Sequence, residues 1–123
     1  MKIGKVDFEG MVRAAYSSLP EEFLSRLVNV SIVVLDRPNA SQIMENRLGP
    51  CDTLYGLYEG IPLTERGDYE PLLPDVITIF QEPIEESSDS LFEIEKQIRI
   101  TIKHEVAHFF GFSDDQLIDM GIG

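Results

Sequence analysis

The feature that most constrains the fold is an apolar pattern with helical spacing between residues 91 and 109. The apolar positions are Leu91, Ile94, Ile98, Ile102 and Phe109. The charged positions between them are Glu95, Lys96, Arg99 and Lys103. At about 100° per residue the two sets fall on opposite sides of a helix. The pattern therefore predicts one long amphipathic helix with a buried face.

Shorter helices and strands are predicted in the preceding part of the chain. Residues 7–27 have apolar residues at helical spacing and are interrupted by Pro20, which predicts two short helices that meet there. A further short helix over residues 41–47 would have Asn39 or Ser41 as its N-cap. Residues 28–35 and 76–80 are rich in β-branched residues and predict two strands. Residues 54–59 predict a third strand, which Gly56 weakens and which fits a sheet edge.

The segment between the last strand and the long helix is predicted to be a connection without secondary structure. Gln81, Glu82 and Pro83 are turn-prone residues directly after the strand. The acidic stretch over residues 85–89 is expected to be a solvated approach to the helix. Internal repeats, low-complexity segments and linkers are not recognisable in the sequence.

Length and composition favour one globular domain over residues 1–123. The chain is 43% hydrophobic, which is ordinary for a domain that buries a core. The first residues do not have the pattern of a signal peptide, and the apolar runs are too short to cross a bilayer. We therefore expect a cytoplasmic protein without a membrane partner. The single Cys51 cannot form an intramolecular disulfide or a cysteine-rich metal site and is interpreted as a packing residue.

The charge of the chain limits its partners. A formal net charge of −12 results from 22 acidic and 10 basic residues. The field of such a protein repels phosphate backbones, so nucleic acid is not an expected partner. The charge favours solubility and, less strongly, a preference for basic peptides. The sequence gives no indication of the oligomeric state.

His104, Glu105 and His108 lie on the long predicted helix in the pattern HExxH. Residues four positions apart stand one above the other on a helix, so two imidazoles at this spacing can bind one metal ion. Glu105 falls near the middle of the apolar side, where a carboxylate is costly unless it has a partner or a role. Beside a bound zinc ion it can act as a general base. The five-residue pattern alone also occurs by chance, in helices where such residues only form caps or ion pairs.

The residues that follow favour the metal-site hypothesis, because the motif continues as HExxHxxGxxD. Gly111 lies where a helix would end through a left-handed residue, which lets the chain reverse. Asp114 could then return as a third ligand and leave a fourth position open, the arrangement of catalytic zinc sites. Asp115 is an alternative ligand. A capping box of Ser113 and Gln116 at a last helix would also account for acidic residues at this place.

The motif resembles that of the zincin metallopeptidases and is close to the metzincin pattern HExxHxxGxxH, with Asp114 in the place of the third histidine. The chain as a whole looks like the short bacterial family of predicted zincin-like metallopeptidases. The resemblance rests on GLYEGIPLTER at residues 56–66, LPDVITIF at residues 73–80, and residues 104–117. It implies an α+β minimal zincin-like fold, in which a small mixed β-sheet packs against N-terminal helices and a long active-site helix.

The resemblance also implies a function. The chain would be a zinc-dependent metallopeptidase that holds one Zn²⁺ through His104, His108 and Asp114, with Glu105 as the general base and a peptide or protein as substrate. The short segment after Asp114 favours an alternative, a non-catalytic or non-peptidase metal-binding domain on a zincin scaffold. Zinc-dependent hydrolysis of nucleic acid ranks third, because the acidic charge of the chain opposes it.

Overall fold

The computed structural model describes residues 1–45, 54–61 and 74–112. Within these ranges the chain forms five helices and three strands. The helices are α1 (Lys5–Ser17), α2 (Glu21–Leu24), α3 (Ala40–Glu45), α4 (Gln81–Glu86) and α5 (Leu91–Phe109). The strands are β1 (Val30–Leu35), β2 (Gly56–Glu59) and β3 (Asp75–Phe80). The predicted pair of helices around Pro20 and the three predicted strands are confirmed. The ends of these elements shift by a few residues.

The three strands form one mixed sheet in the order β1-β3-β2. β1 is parallel to β3, with Val30 opposite Asp75 and Leu35 opposite Phe80. β2 is antiparallel to β3, with Gly56 opposite Ile79. β3 is the central strand, and its side chains are nearly all buried, as expected for a strand paired on both sides. β2 lies at an edge of the sheet, as the sequence predicted, and the fold is the expected α+β arrangement.

The core forms where α5 meets α1 and the sheet. The side chains without solvent exposure in this region include Phe8, Ile77, Ile79, Ile94, Ile98 and Phe109. The stripe predicted for α5 is therefore buried, and the charged residues predicted on its opposite side are exposed. Leu91 is an exception, because 47% of its surface is exposed. It is the first residue of α5 and stands at the end of the packed stripe.

The N-cap of α3 is Asn39, which resolves the alternative with Ser41 left open by the sequence. The Asn39 side-chain oxygen Oδ1 accepts a hydrogen bond from the backbone N–H of Gln42 at 2.8 Å. The Gln42 Oε1 atom accepts one from the backbone N–H of Asn39 at 2.9 Å. These two bonds form a capping box, which satisfies two N–H groups that a helix start leaves without partners.

The connection before α5 was wrongly predicted, because Gln81–Glu86 forms helix α4 directly after β3. Pro83 is compatible with this helix, since it lies in the first turn, where its missing N–H has no intrahelical acceptor to lose. Glu85 is also buried and not solvated. Its carboxylate accepts hydrogen bonds from the Ile3 backbone N–H at 2.7 Å and from Gln81 Nε2 at 3.2 Å. Ile3 is 82 positions away, so no local sequence pattern connects it to Glu85, and Gln81 comes within reach only because the segment is helical.

No helix in the described ranges is both long and apolar enough to cross a membrane.

Candidate metal centre

His104, Glu105 and His108 come together on the last two turns of α5. The potential ligand atoms of the three side chains all lie within 4.8 Å of one another. The two imidazole rings have centroids 4.5 Å apart and are inclined by 72°. Both rings are half-buried, so each packs against the protein and keeps a side open to solvent. The helix thus produces the geometry that the four-residue spacing of the histidines predicted.

Glu105 is the buried member of this cluster, with 5% of its surface exposed. Its Oε1 atom lies 3.3 Å from Nδ1 of His108. The neighbours of Glu105 on the buried side of α5 are apolar, among them Ile102 and Val106. A carboxylate in such a place loses hydration, which costs free energy unless a nearby group interacts with it. In this structure the nearby group is the imidazole of His108.

The end of α5 is fixed by a backbone reversal directly after the second histidine. Gly111 has a φ of +95°, which confirms the predicted left-handed residue. Its N–H donates to the carbonyl of His108 at 2.9 Å, and the N–H of Phe112 donates to the carbonyl of Ala107 at 3.0 Å. This pair of bonds is a Schellman motif. The chain therefore turns away from the helix axis at Gly111, three residues before Asp114. Asp114 and Asp115 lie outside the described residues.

A cleft next to His104 lies between α5 and the start of β2. It has a volume of about 220 Å³. Its walls are formed by Leu54, Tyr55, Gly56, Gln97, Ile100, Thr101, His104 and Glu105. Glu105 is the only acidic side chain among these wall residues, and none of them is a lysine or an arginine. Glu105 and His104 therefore border the same cleft.

The sequence did not identify the strand side of this cleft. Gly56 was interpreted only as a residue that weakens β2, whereas in the structure it lies against Thr101 and Glu105. A glycine within a strand also signals the close approach of another element, and this signal was present in the sequence. Tyr58, a neighbour in β2, has a structural role, because its hydroxyl donates to Asp75 Oδ1 at 3.1 Å and its ring packs edge-on against Phe109. Cys51 lies outside the described residues.

The donor set fits zinc. Imidazole nitrogen and carboxylate oxygen are ordinary zinc ligands, and catalytic zinc sites combine a few such side chains with an open position. His104 and His108 supply two nitrogen donors on one face of a helix, and Glu105 supplies a carboxylate within reach of the same space. The half-buried rings keep this space accessible from solvent.

The mixed sheet, the long helix and the paired histidines place the protein in the class of small α+β proteins with a candidate metal site on a helix. Within this class the chain belongs to the zincin-like metallopeptidase family, whose model matches residues 27–122. It is also similar to a solved structure, a conserved hypothetical protein from T. thermophilus, with 17% sequence identity and a TM-score of 0.57. That similarity covers 85% of this chain and 92% of the other, and at this identity it shows a shared fold. No curated protein has detectable sequence similarity to the chain.

Family membership therefore identifies the protein as a zincin-like metallopeptidase or a related metal-binding protein. The family match begins at residue 27, after α1 and α2. α1 nevertheless packs against α5 and contributes Phe8 and Val12 to the core. α1 thus supports the helix that carries the histidines, although the family match does not include it.

Proposed function

We propose that the protein is a zinc-dependent peptidase in which His104, His108 and Asp114 hold one Zn²⁺ and Glu105 is the general base. The observation that carries the proposal is the position of Glu105. Its carboxylate is buried on the apolar side of α5, lies beside His108, and borders the cleft. A purely structural helix would gain stability from an apolar residue at this place. A role as general base in hydrolysis would explain why a carboxylate lies at this buried position.

The zinc ion and the residues of the chain would contribute different parts of the reaction. When bound, zinc acts as a Lewis acid that polarises the scissile carbonyl and lowers the pKa of water. Glu105 accepts a proton from the attacking water, whose oxygen forms the new bond to the carbonyl carbon. The C–N bond then breaks, and Glu105 returns the proton to the leaving nitrogen. The low exposure of Glu105 keeps bulk water from competing for its carboxylate.

β2 is the proposed binding strand for the substrate. It lies at the edge of the sheet, and residues 54–56 border the same cleft as His104 and Glu105. An extended peptide can add to a sheet edge through backbone hydrogen bonds, which would align its carbonyl groups with the metal centre. The net charge of −12 favours encounter with basic peptides.

Metal analysis of the purified protein, combined with a peptide-library cleavage assay, tests this function. We expect stoichiometric zinc and metal-dependent cleavage that is lost in Glu105→Gln while zinc remains bound. Glu95→Gln is the matched control, because Glu95 lies on the exposed side of the same helix. Cleavage that survives in Glu105→Gln would contradict the proposed mechanism. Stoichiometric zinc without turnover of any peptide would favour the metal-binding alternative.

The third ligand has its own test. Asp114→Asn and Asp115→Asn remove one carboxylate charge each from adjacent positions. If Asp114 binds the ion, zinc affinity falls by about 10-fold or more in the first variant and stays near the wild-type value in the second. The reverse result would assign the ligand to Asp115.

A further inference from the structure

Gly56 lies where β2 packs directly on the turn of α5 that precedes the histidines. A Cβ atom built at this position would come closer than 3.0 Å to Cγ2 of Thr101. It would also lie 3.1 Å from the carbonyl oxygen of Thr78 and 3.5 Å from Cγ of Glu105. Thr101 and Glu105 are one turn apart on α5, and both are buried. A side chain at position 56 therefore has no room between the strand and this part of the helix.

Lack of space, and not backbone conformation, accounts for glycine at this position. Among the glycines that the structure describes, a positive φ occurs at Gly60 and Gly111 and not at Gly56. Gly56 is paired with Ile79 in a regular antiparallel ladder. The backbone there accepts an alanine without strain. The obstacle to alanine is the contact with Thr101.

We propose that Gly56 is a positioning residue for Glu105, an inference that rests on the peptidase function proposed above. Without a Cβ, the backbone of β2 forms a flat wall against the side chain of Glu105. This wall limits the rotamers of Glu105 and keeps its carboxylate beside His108, 3.3 Å from Nδ1. Gly56 thereby acts on the general base from the neighbouring strand, without contact to the reacting atoms.

A methyl group at position 56 would separate the strand from the helix. Carbon atoms pack best at about 3.5–4.0 Å, so relief of the contact with Thr101 requires a shift of about 1 Å. The shift withdraws the β2 backbone from the side chain of Glu105, whose carboxylate is then no longer confined beside His108. A displacement of about 1 Å in a catalytic group can reduce the rate on the order of 100-fold.

The test compares kcat, KM and zinc affinity in the wild type and in Gly56→Ala, Thr101→Ser and the double variant. Thr101→Ser removes Cγ2, the atom that meets the new methyl group. It keeps the hydroxyl oxygen that accepts a hydrogen bond from Gln97 Nε2 at 3.1 Å. Gly10→Ala is the matched control, since a Cβ at Gly10 would meet no atom within 4 Å.

We expect Gly56→Ala to lower kcat on the order of 100-fold with KM and zinc affinity unchanged. Thr101→Ser in the same chain should restore most of this loss, and Gly10→Ala should leave kcat at the wild-type value. An unchanged kcat in Gly56→Ala would overturn the proposal. So would a loss explained by weaker zinc binding, or one that Thr101→Ser does not relieve.

Repeating the substitution in a Glu105→Gln background separates positioning from general damage to the fold. Once the general base is absent, Gly56→Ala should cause no further loss of the residual rate. Equal losses in both backgrounds would contradict the proposal. If Gly56→Ala alone does not fold, the double variant is compared with Thr101→Ser, because its methyl group still lies against Glu105. A residual loss of kcat that disappears in the Glu105→Gln background supports the proposal, and an equal loss in both backgrounds, or none in either, overturns it. Failure of the peptidase function is recognised separately, because the wild type and Glu105→Gln would then have equal turnover.

Discussion

The two halves of α5 share one buried stripe but use it differently. In the first half the stripe contains Ile94 and Ile98, both without solvent exposure. In the second half it includes Glu105, which is buried to nearly the same extent, and the two histidines lie beside it. Aliphatic burial stabilises the first half by about 1.5–3 kcal/mol for each side chain. The second half loses part of this stabilisation in order to hold a carboxylate and two imidazoles in a fixed geometry.

This difference indicates that the first half anchors the helix for the second. α1 and the sheet contact α5, and Ile94 and Ile98 of its first half belong to the main core cluster. The rigidity of the metal centre therefore depends on packing that begins more than one turn earlier in the same helix. Substitutions that make one half of the helix resemble the other should therefore change the free energy of unfolding and the catalytic activity separately.

The largest expected effect comes from making the second half resemble the first by Glu105→Leu. Turnover should fall by about 10²–10⁴-fold, because the general base is lost. The free energy of unfolding of the metal-free protein should rise by about 1 kcal/mol, because a buried carboxylate is replaced by an apolar side chain of similar size. Initial rates and chemical denaturation measure the two quantities. A less stable variant would show that the carboxylate contributes to the fold.

The next largest effect is expected from Ile98→Ala, which weakens the first half. A cavity at this fully buried position should lower the free energy of unfolding by about 2–5 kcal/mol. Zinc affinity, measured at a temperature where the variant is folded, should stay near the wild-type value. Ile100→Ala is the control, since Ile100 is 42% exposed on the same helix and should cost much less. Equal destabilisation by the two substitutions would disprove the division into a packed and an exposed side.

The sequence predicted α5 and its histidines well, because both depend on spacing within one helix. The stripe and the positions of His104 and His108 follow from the helical repeat, and Gly111 indicates the end of the helix through its conformational freedom. These relations are local, so neighbouring residues are enough to reveal them. The third ligand is also suggested by local spacing, and Asp114 remains a prediction.

Features that depend on distant parts of the chain could not be predicted in the same way. The buried carboxylate of Glu85 accepts a hydrogen bond from Ile3, and the two residues are 82 positions apart. The contact of Gly56 with Thr101 requires both the register of β2 on β3 and the placement of α5 against the sheet. Neither of these two contacts produces a periodic pattern of residues in the sequence. Helix α4 was missed for another reason, because Pro83 is compatible with a turn and with the first turn of a helix.

Zinc itself should stabilise the second half of α5. At a free zinc concentration of about 100 times Kd, binding adds about 2.7 kcal/mol to the free energy of unfolding. We expect a matching rise in Tm that is reversed by a chelator and absent in His108→Ala. Thermal melting with and without zinc measures the shift. If His108→Ala shows the same shift as the wild type, the ion binds at another place.

The smallest expected effect concerns the N-terminus of α5, the part of the helix farthest from the metal centre. Ser90 is the N-cap, and its Oγ accepts a hydrogen bond from the backbone N–H of Glu93 at 3.2 Å. Ser90→Ala leaves this N–H without its acceptor and should lower the free energy of unfolding by about 1 kcal/mol. Ser90→Gly should cost only a few tenths of a kcal/mol, since glycine leaves the N–H open to water.

Neither substitution of Ser90 should change kcat. His104 lies 14 residues further along the helix, which at about 1.5 Å per residue is a distance of about 21 Å. Fraying at a helix end spreads over about one turn, and Ile94 and Ile98 lie between the cap and the histidines. Denaturation and steady-state rates measured on the same preparations check both statements. A fall in kcat in Ser90→Ala that exceeds the change in the folded fraction would show that the two halves of α5 are coupled more tightly than their packing indicates.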